Sequence, residues 1–351
     1  MTFCMMTGLL TGCGQVRTDS ASAGEDGKVS VVCTIYPAYD WVREVLGEQA
    51  ENVSLTCLLD NGVDLHSYQP TAMDIATIAN SDIFIYVGGE SDEWVDDALA
   101  EAVNPNMQVL NLMELLGDAV KEEEVKEGME GHDHDHDHED GEEHDHEDGE
   151  EHDHEDGEEH DHEDGDEHDH EHGEEPEYDE HVWLSLKNAQ VLVAAITDAL
   201  KTALPASAEE IQASGDAYLA KLKSLDAEYE SAVAAGARKT IVFGDRFPFR
   251  YLVDDYGLDY FAAFVGCSAE TEASFETVVF LAGKIDEIGA GTISVIESSD
   301  QKIAQTIVSN TGSKDQKILV WDSMQSSTTA GSASYLKIMQ SNLEVLRQAL
   351  Q

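Results

Sequence analysis

Eight short runs rich in β-branched and aromatic residues leave few folds open to this chain. They fall into two groups of four, and they alternate with stretches whose apolar residues recur at helical spacing. Apolar strands joined by crossover helices are typical of parallel sheets covered on both faces. A chain of 351 residues is long enough for two such α/β lobes. The runs cover residues 29–34, 53–58, 83–87 and 108–112 in the first group, and 240–243, 258–262, 292–296 and 317–321 in the second.

The stretch between the two groups predicts one long helix. Leu219, Leu222, Leu225 and Tyr229 lie at helical spacing, and Pro205 suits a helix start. Because almost no glycine interrupts this stretch, we expect a stiff connection rather than a flexible hinge. The predicted organisation is a signal over residues 1–13, a tether over 14–27, an N-terminal lobe over 28–204, a linking helix over 205–236 and a C-terminal lobe over 237–351.

A histidine- and acid-rich tract interrupts the predicted N-terminal lobe. Only His66 and His181 of the 15 histidines lie outside it, and its unit HDHEDGEE repeats with a period of eight. The tract spans residues 132–175 and has no apolar residue to bury, so we expect the loop over residues 121–178, which contains it, to be disordered. Imidazoles bind zinc, copper, nickel and iron, so the tract predicts labile metal capture rather than a merely acidic spacer. Its candidate ligands are His132, His134, His136, His138, His144, His146, His152, His154, His160, His162, His168, His170 and His172.

The charge of the chain restricts the class of ligand. A formal net charge of -55 excludes a nucleic-acid binder held by phosphate contacts and favours cations. No apolar run approaches the ~20 residues of a membrane-spanning helix.

The N-terminal residues predict export and lipidation. An apolar start ends in Leu10-Thr11-Gly12-Cys13, which resembles the lipobox of bacterial lipoproteins, and a polar tether follows. In such signals the cysteine accepts the lipid, so Cys13 is the predicted lipidation site. The alternative is a chance cysteine after a short apolar stretch. Outside the cytoplasm a disulfide between Cys33 and Cys57 is possible, and buried free thiols are the alternative.

Candidate metal ligands follow the predicted strands and precede one predicted helix. His66 and Asp322 come after predicted strands, Asp245 follows the first strand of the second group, and His181 precedes a helical stretch. In parallel α/β sheets ligands gather beyond the carboxyl ends of the strands. A lone loop histidine is more often a surface or capping residue, and such an aspartate is usually a turn residue. Two isolated histidines that both occupy such loops favour a site for a divalent transition metal.

Five segments carry a family resemblance: TIYPAYDWV, VDLHSYQPTAMDIATIANSDIFIYVGG, DEHVWLSLKNA, GCSAETEAS and YLKIMQSNLEVL. They resemble the zinc and manganese solute-binding proteins of bacterial ABC importers, and in particular the high-affinity zinc-uptake type of cluster A-I. The resemblance implies two parallel-sheet lobes joined by a rigid helix, one ion in the cleft between them, and no catalysis. It also implies an ABC permease and its ATPase as partners, a monomer, and a lipid anchor at the extracytoplasmic face of the membrane.

The resemblance assigns most of the metal site and leaves one ligand open. His66 and His181 match the first two ligands of the family, and Asp322 matches its C-terminal acid. At the third position two alignments place Gly244 or Arg246, and neither binds metal. Asp245 is then the predicted substitute, which would favour manganese or iron because carboxylates are hard ligands.

Glu270, Glu272 and Cys267 are the alternatives for the third ligand. Zinc is the predicted cargo because the family's zinc-specific members carry such a tract, and manganese is the alternative. A zinc hydrolase and a surface metal buffer or adhesin are the rival functions.

Overall fold

The computed structural model describes residues 27–130, 177–268, 272–331 and 333–351. Three predictions fall on other residues: the lipidation site Cys13, the histidine tract from His132 to His172, and Glu270 as an alternative ligand. They lie outside the described residues.

All eight predicted runs contain a strand, and two further strands of two residues each were not predicted. The strands are β1 (Val29–Cys33), β2 (Val53–Cys57), β3 (Ile83–Tyr86), β4 (Gln108–Asn111), β5 (Thr240–Val242), β6 (Arg246–Phe247), β7 (Asp259–Phe261), β8 (Phe264–Val265), β9 (Thr292–Ile296) and β10 (Lys317–Trp321). The α-helices are α1 (Tyr36–Leu46), α2 (Ala72–Ala79), α3 (Val95–Ala100), α4 (Leu112–Leu116), α5 (Leu186–Ala203), α6 (Ala208–Ala235), α7 (Arg250–Tyr256), α8 (Phe275–Ile288), α9 (Lys302–Asn310) and α10 (Tyr335–Ala349).

The first four strands form one parallel sheet in the order β2-β1-β3-β4. Its central strand β1 is apolar and almost fully buried, as expected for a strand with helices on both faces. Cys33 and Cys57 are directly opposite each other in the β1–β2 register, and both are free buried thiols. The free-thiol alternative therefore describes this structure.

The second group of strands is also parallel. β5 pairs with β7, and β9 pairs with β10. An isolated parallel bridge from Phe243 to Ser294 joins the two pairs. β6 and β8 form a separate short parallel pair. The predicted fold class, α/β with two parallel-sheet lobes and a long helix, is confirmed.

Helix α6 packs along both halves of the molecule. It contacts α1 and α5 on one side and α10 on the other. Leu222, Leu225 and Tyr229 are buried, and the Tyr229 hydroxyl donates to the Met339 carbonyl at 2.7 Å. Helix α6 approaches α5 closely at Gly215, where the Cβ of any other residue would lie 2.6 Å from Thr197 Oγ1. Helix α6 is thus a rigid connection, because sliding or bending it would disturb the packed cores of both lobes.

No single helix in the described ranges is long and apolar enough to cross a membrane. The bent pair Leu186–Ala203 and Pro205–Ala235 passes that test only when its two parts are taken together across a 116° bend.

The two described ends of the predicted loop run along the edge of the C-terminal lobe. Glu122 forms an antiparallel bridge with Tyr178, and Glu130 forms a parallel bridge with Phe264 of β8. The Glu130 N–H donates to the Ala263 carbonyl at 2.9 Å. The residues that flank the tract therefore lie beside the strand that leads into Cys267.

Candidate metal centre

The first ligand candidate, His66, lies in a short 3-10 turn (Leu65–Ser67) in the loop after β2. Asp64 begins this turn, and its carboxylate accepts from the His66 backbone N–H at 3.1 Å. The imidazole Nδ1 lies 2.8 Å from Ser91 Oγ and 3.3 Å from Glu180 Oε2. These contacts fix the ring so that its Nε2 points away from the loop.

The second candidate, His181, is fully buried just before a turn that leads into α5. Its Nδ1 lies 2.9 Å from Asp179 Oδ1, and the same oxygen accepts from the His181 backbone N–H. The Tyr251 hydroxyl donates to the Asp179 carbonyl and fixes this segment from the C-terminal half. Gly266 packs directly on the imidazole, because a Cβ there would lie 3.1 Å from His181 Cε1.

The two imidazoles converge on one point, since His66 Nε2 and His181 Nε2 lie 3.2 Å apart. The carboxylates of Glu180 and Asp179 lie beside the two Nδ1 atoms, and an Nδ1 proton shared with each carboxylate leaves both Nε2 lone pairs free to face each other. Two facing lone pairs repel each other unless a cation lies between them. Nitrogens bound to one tetrahedral zinc at about 2.0–2.1 Å lie about 3.3 Å apart. The histidine pair therefore fits a tetrahedral metal ion.

Cys267 completes a three-residue group with the histidines. It follows β8, and its Sγ and the two imidazole nitrogens all lie within 4.8 Å of one another. The buried Gln325 closes another side, because its amide nitrogen lies 2.7 Å from His181 Nε2. Two imidazoles and one thiolate are ligands that zinc prefers. The Gln325 amide oxygen is engaged elsewhere, because it accepts from the Ser323 hydroxyl at 3.0 Å.

The two predicted aspartates are engaged elsewhere. Asp245 accepts from the Arg246 N–H at 2.9 Å and from the Ile296 N–H at 3.4 Å. Asp322 accepts from the Met324 N–H at 2.9 Å. Among the described residues, the group of converging ligand atoms contains neither aspartate. The structure brings His66 and His181 together and leaves both carboxylates on backbone N–H groups, so their role as ligands stays a prediction.

The other residues considered for the third position also divide into residues held elsewhere and one that joins the histidines. Gly244 is packed against α9, since a Cβ there would lie 2.8 Å from the Ala304 Cα. Arg246 forms an ion pair, and among the described alternatives Cys267 joins the histidines whereas Glu272 does not.

The electrostatics of the cluster follow from its buried charges. Burial lowers the pKa of His66, but the hydrogen bond and charge of Glu180 outweigh it and raise this pKa overall. Burial raises the pKa of Glu180, and His66 reverses this to a net lowering. Burial raises the pKa of the Cys267 thiol well above its ordinary value, and Asp179 and Glu123 raise it further. A bound cation would favour the thiolate, so metal binding and thiol deprotonation are coupled.

A cavity of about 240 Å³ leads to this group. His66 and Cys267 open onto it, whereas His181 lies behind them, fully buried. Its wall is rich in carboxylates, which raise the local concentration of cations. The lining residues are His66, Glu90, Ser91, Glu123, Glu177, Tyr178, Glu180 and Cys267.

Several residues of the centre were not predicted from the sequence. Asp179 and Glu180 directly precede His181, and this adjacency was an available signal for carboxylates that orient imidazoles. Gln325 lies three residues beyond Asp322 and is neutral, so nothing marked it as a possible ligand. Ser91 had no sequence signal.

Among the described residues, two parallel-sheet lobes, a stiff connecting helix and a partly buried histidine–histidine–cysteine group define a class of metal-binding transport protein. The chain belongs to the family described as zinc-uptake complex component A, periplasmic, whose model matches residues 31–349. Transport binding proteins of this family are not enzymes, which confirms the prediction of no catalysis.

Relatives and solved structures agree with this membership. The zinc-binding lipoprotein AdcA of Streptococcus pneumoniae is 29% identical over 327 residues, which are 92% of this chain and 56% of that protein. The chain thus spans about half the length of the AdcA proteins that it matches. The high-affinity zinc uptake system protein ZnuA of Bacillus subtilis is 27% identical over 342 residues, 97% of this chain and 94% of that protein. The Zn(II)-bound ZnuA-like domain of S. pneumoniae AdcA superposes with a TM-score of 0.64 at 25% identity, covering 92% of this chain and 99% of that one.

Proposed function

We propose that this protein is the metal-binding subunit of a zinc importer. In this proposal it binds one Zn(II) ion between His66, His181 and Cys267, and delivers it to an ABC permease and its ATPase. The observation that carries the proposal is the convergence of two imidazole Nε2 atoms, 3.2 Å apart, beside a cysteine sulfur. The cargo is then released intact and nothing is chemically converted.

The donor set favours zinc over manganese. A thiolate is a soft ligand that suits zinc, whereas Mn(II) prefers carboxylate, carbonyl and water oxygens. The carboxylates predicted to shift the preference toward manganese or iron, Asp245 and Asp322, accept from backbone N–H groups instead. Relatives described as zinc-binding proteins support the same cargo.

The proposed location is the extracytoplasmic face of the membrane. Relatives include proteins described as lipoproteins and as periplasmic binding proteins. In this chain Cys13 is the proposed lipid attachment site, and residues 14–27 are the proposed tether.

The histidine tract is proposed to capture ions and supply them to the cavity. Its flanking residues, Glu123 and Glu177, line that cavity, so both ends of the tract adjoin the route to His66 and Cys267. Weak, rapidly exchanging sites on the tract would then raise the local supply of zinc without holding it.

Cobalt substitution tests the assignment, because a cysteine thiolate bound to Co(II) gives a charge-transfer band that imidazole and carboxylate ligands do not. We expect one equivalent of Co(II) to develop this band, and Zn(II) to abolish it by displacement. Cys267→Ser should remove the band and weaken zinc binding by at least the ~10–100-fold that loss of an outer-shell partner costs.

Two comparisons make this experiment specific. Cys57→Ser changes a buried thiol on β2 that bonds to the Thr34 carbonyl, and it should keep the band. Replacement of residues 131–176 by a short glycine–serine linker should keep one tight ion. A wild-type protein without the band, or loss of all tight zinc on removing the tract, would refute the cleft site and favour a surface metal buffer.

A further inference from the structure

Arg246 joins the segments that carry two of the three metal ligands. Its Nη2 lies 3.0 Å from Asp64 Oδ2, and its Nη1 donates to the Ser268 carbonyl at 3.2 Å. Asp64 begins the turn that carries His66, and Ser268 directly follows Cys267. One guanidinium therefore reaches both ligand-bearing loops.

This arginine clamp, formed by Arg246 with Asp64 and Ser268, also joins the two lobes. Asp64 lies in the loop after β2 of the N-terminal sheet, whereas Arg246 starts β6 in the C-terminal half and pairs there with Phe264 of β8. Asp64 uses its two oxygens for different tasks, since Oδ1 accepts from the His66 N–H and Oδ2 from Arg246. A shift of the arginine would thus be transmitted to the His66 backbone through a single carboxylate.

Both members of the pair are largely shielded from solvent. The Arg246 side chain is 17% exposed and the Asp64 side chain is 21% exposed. A fork-shaped guanidinium that holds two acceptors on different segments is a geometry that lysine cannot reproduce, because an ammonium is a compact point charge. The contact is therefore directional and more than a screened surface ion pair.

We propose that Arg246 is a positioning residue that holds the His66 turn and the Cys267 loop at the spacing needed by one ion. This inference rests on the proposed zinc site. Two effects of the arginine have opposite signs: its charge repels a cation, whereas its clamp preorganises the ligands. Asp64 neutralises the charge at 3.0 Å, so the clamp dominates and removal of Arg246 weakens metal binding.

The test uses the full-length protein and the Co(II) thiolate band, which reports an ion bound through a thiolate, as at Cys267, and does not report ions held by the histidines of the tract. Arg246→Met and Arg246→Lys should each weaken Co(II) binding by about 10–100-fold, the range for residues that orient metal ligands. At saturating Co(II) both variants should keep the wild-type band, because the ligands themselves remain. Arg347→Met, at a partly exposed arginine on α10, is the matched control and should bind within about twofold of wild type.

Asp64→Asn tests the same contact from the other side and guards against misfolding of the arginine variants. It should weaken binding too, and the double variant Asp64→Asn with Arg246→Met should cost less than the sum of the two single losses. Wild-type affinity in both Arg246 variants would overturn the inference. Tighter binding by Arg246→Met with wild-type binding by Arg246→Lys would also overturn it and leave only a charge effect. A wild-type protein without the thiolate band would instead refute the zinc site itself.

Discussion

The two halves of the molecule contribute to the candidate metal centre in different ways. The N-terminal half contributes two histidines whose Nδ1 atoms are held by acceptors, so that both Nε2 atoms are presented to the cleft. The C-terminal half ends its strands with Asp245 and Asp322, which bind backbone N–H groups, and contributes Cys267 from the loop after β8 instead.

The difference shows when a residue at a strand end can serve as a ligand. A carboxylate after a strand is short and lies close to unpaired backbone N–H groups, so it readily caps the chain. An imidazole can satisfy one nitrogen locally and still present the other to a ligand. Among the described residues, the two loop histidines converge and the two strand-end aspartates do not join them.

The largest expected effect is loss of a histidine ligand. His181→Gln should abolish tight zinc binding, exceeding the ~10–100-fold typical of outer-shell losses, because the deepest ligand is removed while a polar side chain of similar size remains. Competition titration against a zinc chelator in the tract-replaced protein measures this. The far-ultraviolet circular dichroism of the metal-free variant should match that of wild type. Retention of wild-type affinity would mean that His181 does not hold the ion.

An intermediate effect is expected from the carboxylate behind His181. Asp179→Asn removes the charge that holds the Nδ1 proton of His181 at 2.9 Å, and zinc affinity should fall by about 10–100-fold. Asp82→Asn is a matched control, since Asp82 is also buried but accepts from the Ser30 N–H just before β3 and contacts neither histidine. Equal losses in the two variants would indicate general destabilisation rather than orientation of the imidazole.

The fold was largely predictable because its signals are local. Apolar β-branched runs and helical spacing indicate strands and helices without knowledge of their neighbours, which is why all eight runs were found. The two-residue strands β6 and β8 have no such periodicity, and Cys267 follows one of them. Its place beside the histidines depends on how β8 packs against β6 and on the close approach of Gly266 to His181. That is tertiary information, which no spacing in the sequence contains.

The pair of histidines was predictable because histidine is scarce outside the tract. The roles of the acidic residues were not predictable, because a sequence does not show which backbone N–H groups a carboxylate will contact. Burial raises the pKa of the Asp322 carboxyl, only partly offset by the Met324 N–H, and raises the pKa of Glu297, which Asp322 raises further. Raised values of this kind are expected for acids that share a buried region without a nearby compensating cation.

The smallest effect on metal binding is expected from replacing the two aspartates that the sequence predicted as ligands. Asp245→Ala and Asp322→Ala should each leave zinc affinity within about twofold of wild type, because their oxygens serve backbone N–H groups. Each should lower the free energy of unfolding by about 1 kcal/mol through the lost hydrogen bonds, measured by urea denaturation of the metal-free protein. A loss of zinc affinity as large as that of Cys267→Ser would restore the aspartates as ligands. The two halves of the molecule would then both use their strand ends, and the harder donor set would again favour manganese or iron.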